Sequence, residues 1–397
     1  MPSIDASYQL LEDLDRLEDF YQQNKHTSWL AFDTEFVGEK RYYTLLCLIQ
    51  VTTEFGVYLI DPIKIKDLRP FLRLIEDPNI VKITHAGDND YRLLNTAFGT
   101  VPQNVFDTQI AAGFIGYRYP ISFQNLVEGE LGLRLKKGYA VADWESRPFQ
   151  QRQLTYALDD VIPLHDLWTH IRKKLSSLNR EHWVSEELSA WETPEFYERD
   201  PHHELLTSNL VRSLKMRERV FLLRLLAWRR ETARQKDYSK EMILPGKLIS
   251  HIVRGIASGK DALKKNRRIP DRYTDRYGKM FLQMYQDGPT PEEKEVLSRL
   301  PSKKNGEVSD TDNIIRDLLY LLIQHKAQSK NVAPSLVMPK NMLDKMKSDP
   351  ELKSVITDAG WRQELLGDTF VHWIENINNL ELEIEGGKIE LNVESQG

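Results

Sequence analysis

The sequence predicts an α/β domain built on a mixed sheet, followed by two all-helical domains. Three observations predict it. Short apolar runs alternate with turns over the first 110 residues, helical periodicity takes over from about Asp88, and the pattern after residue 208 is almost wholly helical. At 397 residues the chain is longer than a single core usually organises, so two or three domains are expected. We place them at 1–200, 208–290 and 291–397. The stretch 192–208, "ETPEFYERDPHHELLTS", loses periodicity and reads as a connection, and "DGPTPEE" with the polar run 301–312 marks the second division.

Taken in order, the strand candidates are "WLAFDTEF", "LLCLIQVT", "GVYLIDP", "IVKITHAG" and "NVFDT". Short polar loops join the first three, which suits antiparallel connections. The helical segment "IKDLRPFLRLIED" separates the third from the fourth, as a crossover to a parallel strand requires. Capped helices follow: "DNDYRLLNTAF" closed by Gly99, "DTQIAAGFIG" opened by Asp107, and "SFQNLVEGELG" opened by Ser122. The long helical run from Arg147 to Leu178 contains Pro163, where a kink or a break is expected. At the C-terminus, "LELEIEGGKIELNVESQG" allows a short hairpin about Gly386 and Gly387.

With 41% hydrophobic and 28% charged residues the chain reads as soluble, and no apolar run is long enough for a membrane span. The N-terminus is acidic and amphipathic, unlike a secretory signal. Cys47 is the single cysteine, which excludes a disulfide framework and a Cys-rich zinc site and points to a reducing compartment. We therefore expect a cytoplasmic protein without membrane partners, acting as a monomer. The net charge of −5 is uneven: −10 over 1–200, +11 over 201–290 and −6 over 291–397. A basic middle between acidic flanks is the footprint of a polyanion-binding module, or else a solvated basic helical face.

Asp33 and Glu35 stand in the middle of an apolar strand. Two residues apart, they share one face, while Phe32, Thr34 and Phe36 take the other. Two adjacent like charges repel, so either a proton or a hard divalent cation with oxygen ligands must hold them; an edge strand with both acids solvated is the bland alternative. Two further segments supply partners. Asp90 lies in the first turn of the helix after Gly87, with Asp88 beside it as N-cap. In "YALDDV", Tyr156 and Asp160 share a helix face at i and i+4, from which Asp159 is rotated away. His85, just before the glycine turn, reads as a structural hydrogen-bonding histidine.

The order Asp-x-Glu, Asp in an "HAGxxD" context, then Tyr-x-x-x-Asp resembles the three motifs of the DEDD family of 3′-to-5′ exonucleases in its tyrosine branch. The histidine branch would need His where this chain has Thr155. The flanks "FDTQIAAGFIGY", "LKKGYAVADWESRPF" and "TYALDDV" are similar to the ribonuclease D family. The resemblance implies a ribonuclease H-like mixed sheet, with Asp33, Glu35, Asp90 and Asp160 holding two divalent ions, Mg²⁺ or Mn²⁺, and Tyr156 orienting the attacking water. It implies hydrolysis of RNA from the 3′ end to nucleoside 5′-monophosphates, with tRNA precursors as substrates. Phe36, Tyr91 and Leu94 are candidates for stacking on terminal bases, and Lys136 and Lys137 for phosphates. A DNA 3′ exonuclease and a non-catalytic RNA-binding scaffold are the alternatives.

Residues 210–290 include "LLRLLAWRRETARQKDYSKEMILPGKLISHIV", which is similar to the HRDC domain and implies a small RNA-holding bundle. "GWRQELLGDTFVHWIE" resembles the end of the second HRDC-like domain of ribonuclease D; being acidic here, it is expected to pack.

Overall fold

The computed structural model describes residues 7–135, 142–300, 310–339, 342, 358–376, 380–385 and 388–393. A six-stranded sheet carries the first part of the chain, in the order β1-β4-β3-β2-β5-β6. Its strands are β1 (Gln9–Leu11), β2 (Trp29–Val37), β3 (Leu45–Thr53), β4 (Gly56–Ile60), β5 (Val81–Thr84) and β6 (Val105–Asp107). As expected from the loop lengths, β3 and β4 pair antiparallel, whereas β5, reached through helix α2 (Arg69–Glu76), lies parallel to β2. Strand β1 went unread in the sequence. It is three residues long and pairs parallel with β4, Gln9 opposite Tyr58, before α1 (Leu14–Asn24) begins at its Asp13 cap.

Helix ends fall where Gly99, Asp107, Ser122 and Pro163 indicate. Helix α3 (Asp88–Phe98) ends at Gly99, in the left-handed region at φ 73°. Asp107 caps α4 (Thr108–Gly113), accepting the N–H groups of Gln109 and Ile110 at 2.9 and 3.0 Å, and Ser122 caps α5 (Phe123–Leu131). Pro163 separates α6 (Gln151–Val161) from α7 (Leu164–Ser177). Cys47 is a buried core residue on β3.

Alternation along β2 divides the sheet into two packed faces. Ala31 meets Val161 and Leu164 of α6 and α7, together with Ile83 of β5. On the opposite face Phe32 packs edge-on against Phe71 and Tyr91, with ring centroids 5.9 and 5.4 Å apart.

The chain forms two compact units. One combines 1–35, 47–197 and 307–397, and the other 36–46 with 198–306. The C-terminal segment expected as a third domain from residue 291 is thus divided. Helix α16 (Pro291–Ser298) belongs to the second unit, and the segment from 307 belongs to the sheet-bearing one.

The packing of that segment is extensive. Trp361, in α19 (Trp361–Leu366), lies edge-on to Phe114 at 4.8 Å, and its indole N–H donates to Glu187. Arg180 bridges the carbonyls of Phe114 and Lys330, both at 2.6 Å. The packing role expected for this acidic segment is what the contacts describe. The tail forms the hairpin β7 (Leu380–Glu385) and β8 (Lys388–Val393), antiparallel with Glu385 opposite Lys388.

The second unit is a helical bundle around α11 (Met216–Lys236), α13 (Gly246–Gly255) and α15 (Asp271–Gln286). Phe221, Leu225, Ile252 and Phe281 are buried in its core, and Trp228 stands edge-on to Tyr277 at 4.8 Å. The stretch read as a connection holds two short helices, α9 (Pro194–Tyr197) and α10 (His203–Leu206), and the boundary between the units falls between them.

Candidate active site

The site follows from where β2 outruns its neighbour. Parallel pairing of β2 with β5 is recorded from Trp29 opposite Val81 to Ala31 opposite Ile83, and β5 ends at Thr84. Beyond that point β2 continues through Asp33 and Glu35 while the other chain turns into α3. Because Ala31 packs on Val161, the residues two and four further along the same face meet the same helix. One oxygen each from Asp33, Glu35 and Asp160 lie within 4.8 Å of one another. Among the described residues this is the one such group of possible metal ligands.

Asp90 is placed differently. It is buried, and its Oδ1 accepts a short hydrogen bond from the Thr34 hydroxyl, so it stands outside the group of three while still acting on Asp33 through its charge. Asp88 is not the N-cap. Gly87 occupies that position, and Asp88, already helical, forms an ion pair with Arg92 one turn on at 3.0 Å.

The turn that aims α3 is tightly determined. A Cβ at Gly87 would meet the Thr84 hydroxyl oxygen at 2.5 Å, and its N–H donates to Asp107 Oδ2 at 2.8 Å. Ala86 sits at φ 58°, in the left-handed region seldom used by residues other than glycine. His85 is structural: Nδ1 lies 3.0 Å from the Thr108 hydroxyl and Nε2 3.1 Å from the Ile121 carbonyl. The carbonyl is an acceptor, so Nε2 carries the proton, and burial lowers the histidine's pKa.

Burial, with repulsion from neighbouring carboxylates, raises the proton affinity of Asp33, Glu35, Asp90 and Asp160. Asp33 is pushed well up, first by burial and then by Asp90, Asp160 and Glu35. Burial, with Asp160 and Asp90, lifts Glu35 to about 8. Asp90 rises to about 7 through burial against the opposing Thr34 bond, and Asp160 to about 6 through burial against its bond from Tyr156. The phenol of Tyr156 is raised by burial, by Asp160 and by Glu35, so it stays protonated near neutral pH.

The expected base contacts divide. Phe36 is 40% exposed, next to Glu35. Tyr91 and Leu94 are fully buried, Tyr91 packed on Phe32 and Trp191; the expectation that they meet bases does not hold, because neither offers a free face. Lys136 and Lys137 lie outside the described residues. The sequence reading missed Thr34 as the partner of Asp90. It also missed Trp144, whose ring is 2% exposed and 6.2 Å from that of Tyr156. Tryptophan beside acids in "ADWESRPF" is the only signal the sequence offers for the latter.

Two family models match the chain, a 3′-5′ exonuclease model over residues 8–176 and an HRDC domain model over 218–285. Ribonuclease D of Bartonella henselae is 29% identical over 347 residues, covering 86% of this chain and 84% of the relative. Ribonuclease D of Sphingobium indicum is 29% identical over 386 residues, covering 96% and 98%. Among solved structures, Escherichia coli RNase D superposes with a TM-score of 0.78 at 23% identity, over 93% of this chain and 99% of that one, which shows a shared fold. An exonuclease model and an HRDC model thus match in this order, and along most of its length the chain is similar to ribonucleases D, which are 3′-5′ exoribonucleases.

Proposed function

We propose that the chain hydrolyses RNA from a single-stranded 3′ end at the Asp33–Glu35–Asp160 cluster, releasing nucleoside 5′-monophosphates, and that precursors of tRNA are among its substrates. The observation that carries this reading is the convergence of three carboxylates within 4.8 Å from two separate elements. Oxygen donors that repel one another and bind protons too tightly suit a hard divalent cation, and there is no thiolate at hand to favour a softer one.

Asp33, Glu35 and Asp160, with Asp90, would hold Mg²⁺ or Mn²⁺ ions, which when bound lower the pKa of a water and offset charge on the scissile phosphate. Tyr156 orients that water. Its raised proton affinity makes it a hydrogen-bonding group and not a base. Thr34 keeps the Asp90 carboxylate turned toward β2, and Phe36 stacks on the terminal base. Water oxygen bonds to phosphorus as the bond from phosphorus to the 3′ oxygen breaks, and that oxygen takes up a proton.

The test is a time course on two end-labelled oligonucleotides of one sequence, RNA and DNA, in Mg²⁺, Mn²⁺ or EDTA. A metal-dependent ladder shortening from the 3′ end of RNA is the expected result, with a tRNA precursor as the next substrate. Equal trimming of DNA would move the protein to DNA metabolism. Tight binding without cleavage would make it a scaffold.

A further inference from the structure

Gln50 interrupts the apolar run of β3, "LLCLIQVTT", and it is wholly buried, 0% exposed. Among the described residues neither the oxygen nor the nitrogen of its carboxamide has a hydrogen-bond partner. A methionine or leucine would fill the position without burying a donor group and an acceptor, each of which costs stability when left unpaired. A carboxamide kept there calls for a partner that it meets in the working protein.

Its neighbours fix the face of the sheet on which it lies. Val51 stands opposite Tyr58 of β4, whose ring packs edge-on to Phe20 of α1 at 4.7 Å. Helix α1 lies beside α2, with Arg73 over the Tyr21 ring at 5.4 Å, and Phe71 of α2 meets Phe32. Val51 is therefore on the face that carries Phe32, and Gln50, opposite Leu59, is on the other, toward α6 and α7. Thr52, two residues on and sharing that face, agrees: its hydroxyl donates to the Val161 carbonyl of α6 at 3.5 Å.

Val161 also locates Gln50 along its strand. Strands β2 and β3 are neighbours joined by the loop 38–44, too short for a crossover, so they run antiparallel. Ala31 of β2 and Thr52 of β3 both meet Val161. From that shared point two residues forward along β2 lead to Asp33, and two residues back along β3 lead to Gln50, in the same direction and on the same face. Side chains paired in this way across adjacent strands have Cβ atoms about 5 Å apart.

Asp33 lacks what Gln50 can give. Asp90 accepts from the Thr34 hydroxyl and Asp160 from the Tyr156 phenol, whereas Asp33 accepts a backbone N–H of Thr34 and has no side-chain donor among the described residues. We propose that Gln50 is a positioning residue of the cation site: its carboxamide N–H donates to the Asp33 carboxylate when a divalent ion is bound, and so fixes the orientation in which that carboxylate meets the ion. The terminal torsion of glutamine is broad, so the carboxamide turns toward a neighbouring strand without leaving its rotamer. Carboxylates that ligate metals are held by such hydrogen bonds, and losing one weakens the metal. The proposal rests on the cation site of the exoribonuclease reading; it adds the residue that orients one of the ligands.

The experiment titrates the full chain with Mn²⁺, without RNA, and follows the free ion by its electron paramagnetic resonance signal; Tm is measured in parallel in EDTA. The variants are Gln50→Met, Gln50→Leu in case the unbranched chain does not pack, and Thr52→Val as a control on the same face of the same strand. Gln50→Met should weaken Mn²⁺ binding roughly tenfold or more, with Thr52→Val within about twofold of wild type. In EDTA the Tm of Gln50→Met should stay at or above that of wild type, because the substitution removes an unpaired buried amide. A merely structural glutamine predicts the reverse, a lower Tm with the metal held as before. Wild-type Mn²⁺ affinity in whichever Gln50 variant folds would overturn the proposal. A loss of Mn²⁺ affinity that comes with a lower Tm in EDTA would also overturn it, by making Gln50 a packing residue. Failure of the wild-type chain to bind Mn²⁺ would be a different result, removing the cation site itself and the proposal with it.

Discussion

Arg147 grips Asp61 with both prongs of its guanidinium, Nε at 2.6 Å from Oδ2 and Nη2 at 2.8 Å from Oδ1. Its other donors go to the carbonyls of Trp144, Ser146 and Cys47, so all five N–H groups are used, and the Asp61 side chain is wholly buried. The clamp ties the segment before α6 to the sheet and holds Trp144 against Tyr156.

Breaking one side of such a buried pair leaves the other charge uncompensated. Arg147→Ala should lower stability by about 3–5 kcal/mol. Arg147→Lys keeps the charge but not the fork, and should lower kcat with KM little changed. Urea unfolding and steady-state trimming check both; wild-type kcat in Arg147→Lys would show that the clamp does not set Tyr156.

Asp33→Asn and Asp160→Asn each remove a charge from the group of three. Hydrolysis should fall to background while RNA affinity in EDTA stays within about twofold, because phosphate-binding cations dominate affinity. Retained cleavage in either variant would remove that residue from the site.

Tyr156→Phe removes only the hydroxyl. We expect kcat to fall roughly a hundredfold, with the Mn²⁺ concentration needed for half-maximal activity unchanged. An equal rise in that concentration would instead make the phenol part of the metal site.

Without metal, Glu35 titrates near 8, Asp90 near 7 and Asp160 near 6, all above ordinary carboxyl values. Between the unfolded and folded pKa values the folded chain binds more protons, so stability is full below about pH 4 and is lost as pH rises through 6 to 8. In EDTA, Tm should therefore fall by several degrees from pH 5 to 8, at about 2–4 °C per kcal/mol. Glu35→Gln should flatten the profile, and saturating Mn²⁺ should raise Tm most at the alkaline end. A Tm independent of pH and of Mn²⁺ would argue against a preformed cation site.

What the sequence determined by itself is local. Alternation along β2 placed Asp33 and Glu35 on one face, i, i+4 spacing paired Tyr156 with Asp160, and Gly99, Asp107, Ser122 and Pro163 set helix ends, because each depends on neighbours a few residues away. The tertiary structure alone decided what depends on distant partners. It buried Tyr91 and Leu94, turned Asp90 to Thr34 across 56 residues, and joined Arg147 to Asp61 across 86. It also packed Trp361 against Phe114 of the sheet-bearing unit, although the periodicity of that segment is that of any amphipathic helix. Periodicity tells a residue which face it occupies; what stands opposite that face is set by how the elements close on one another.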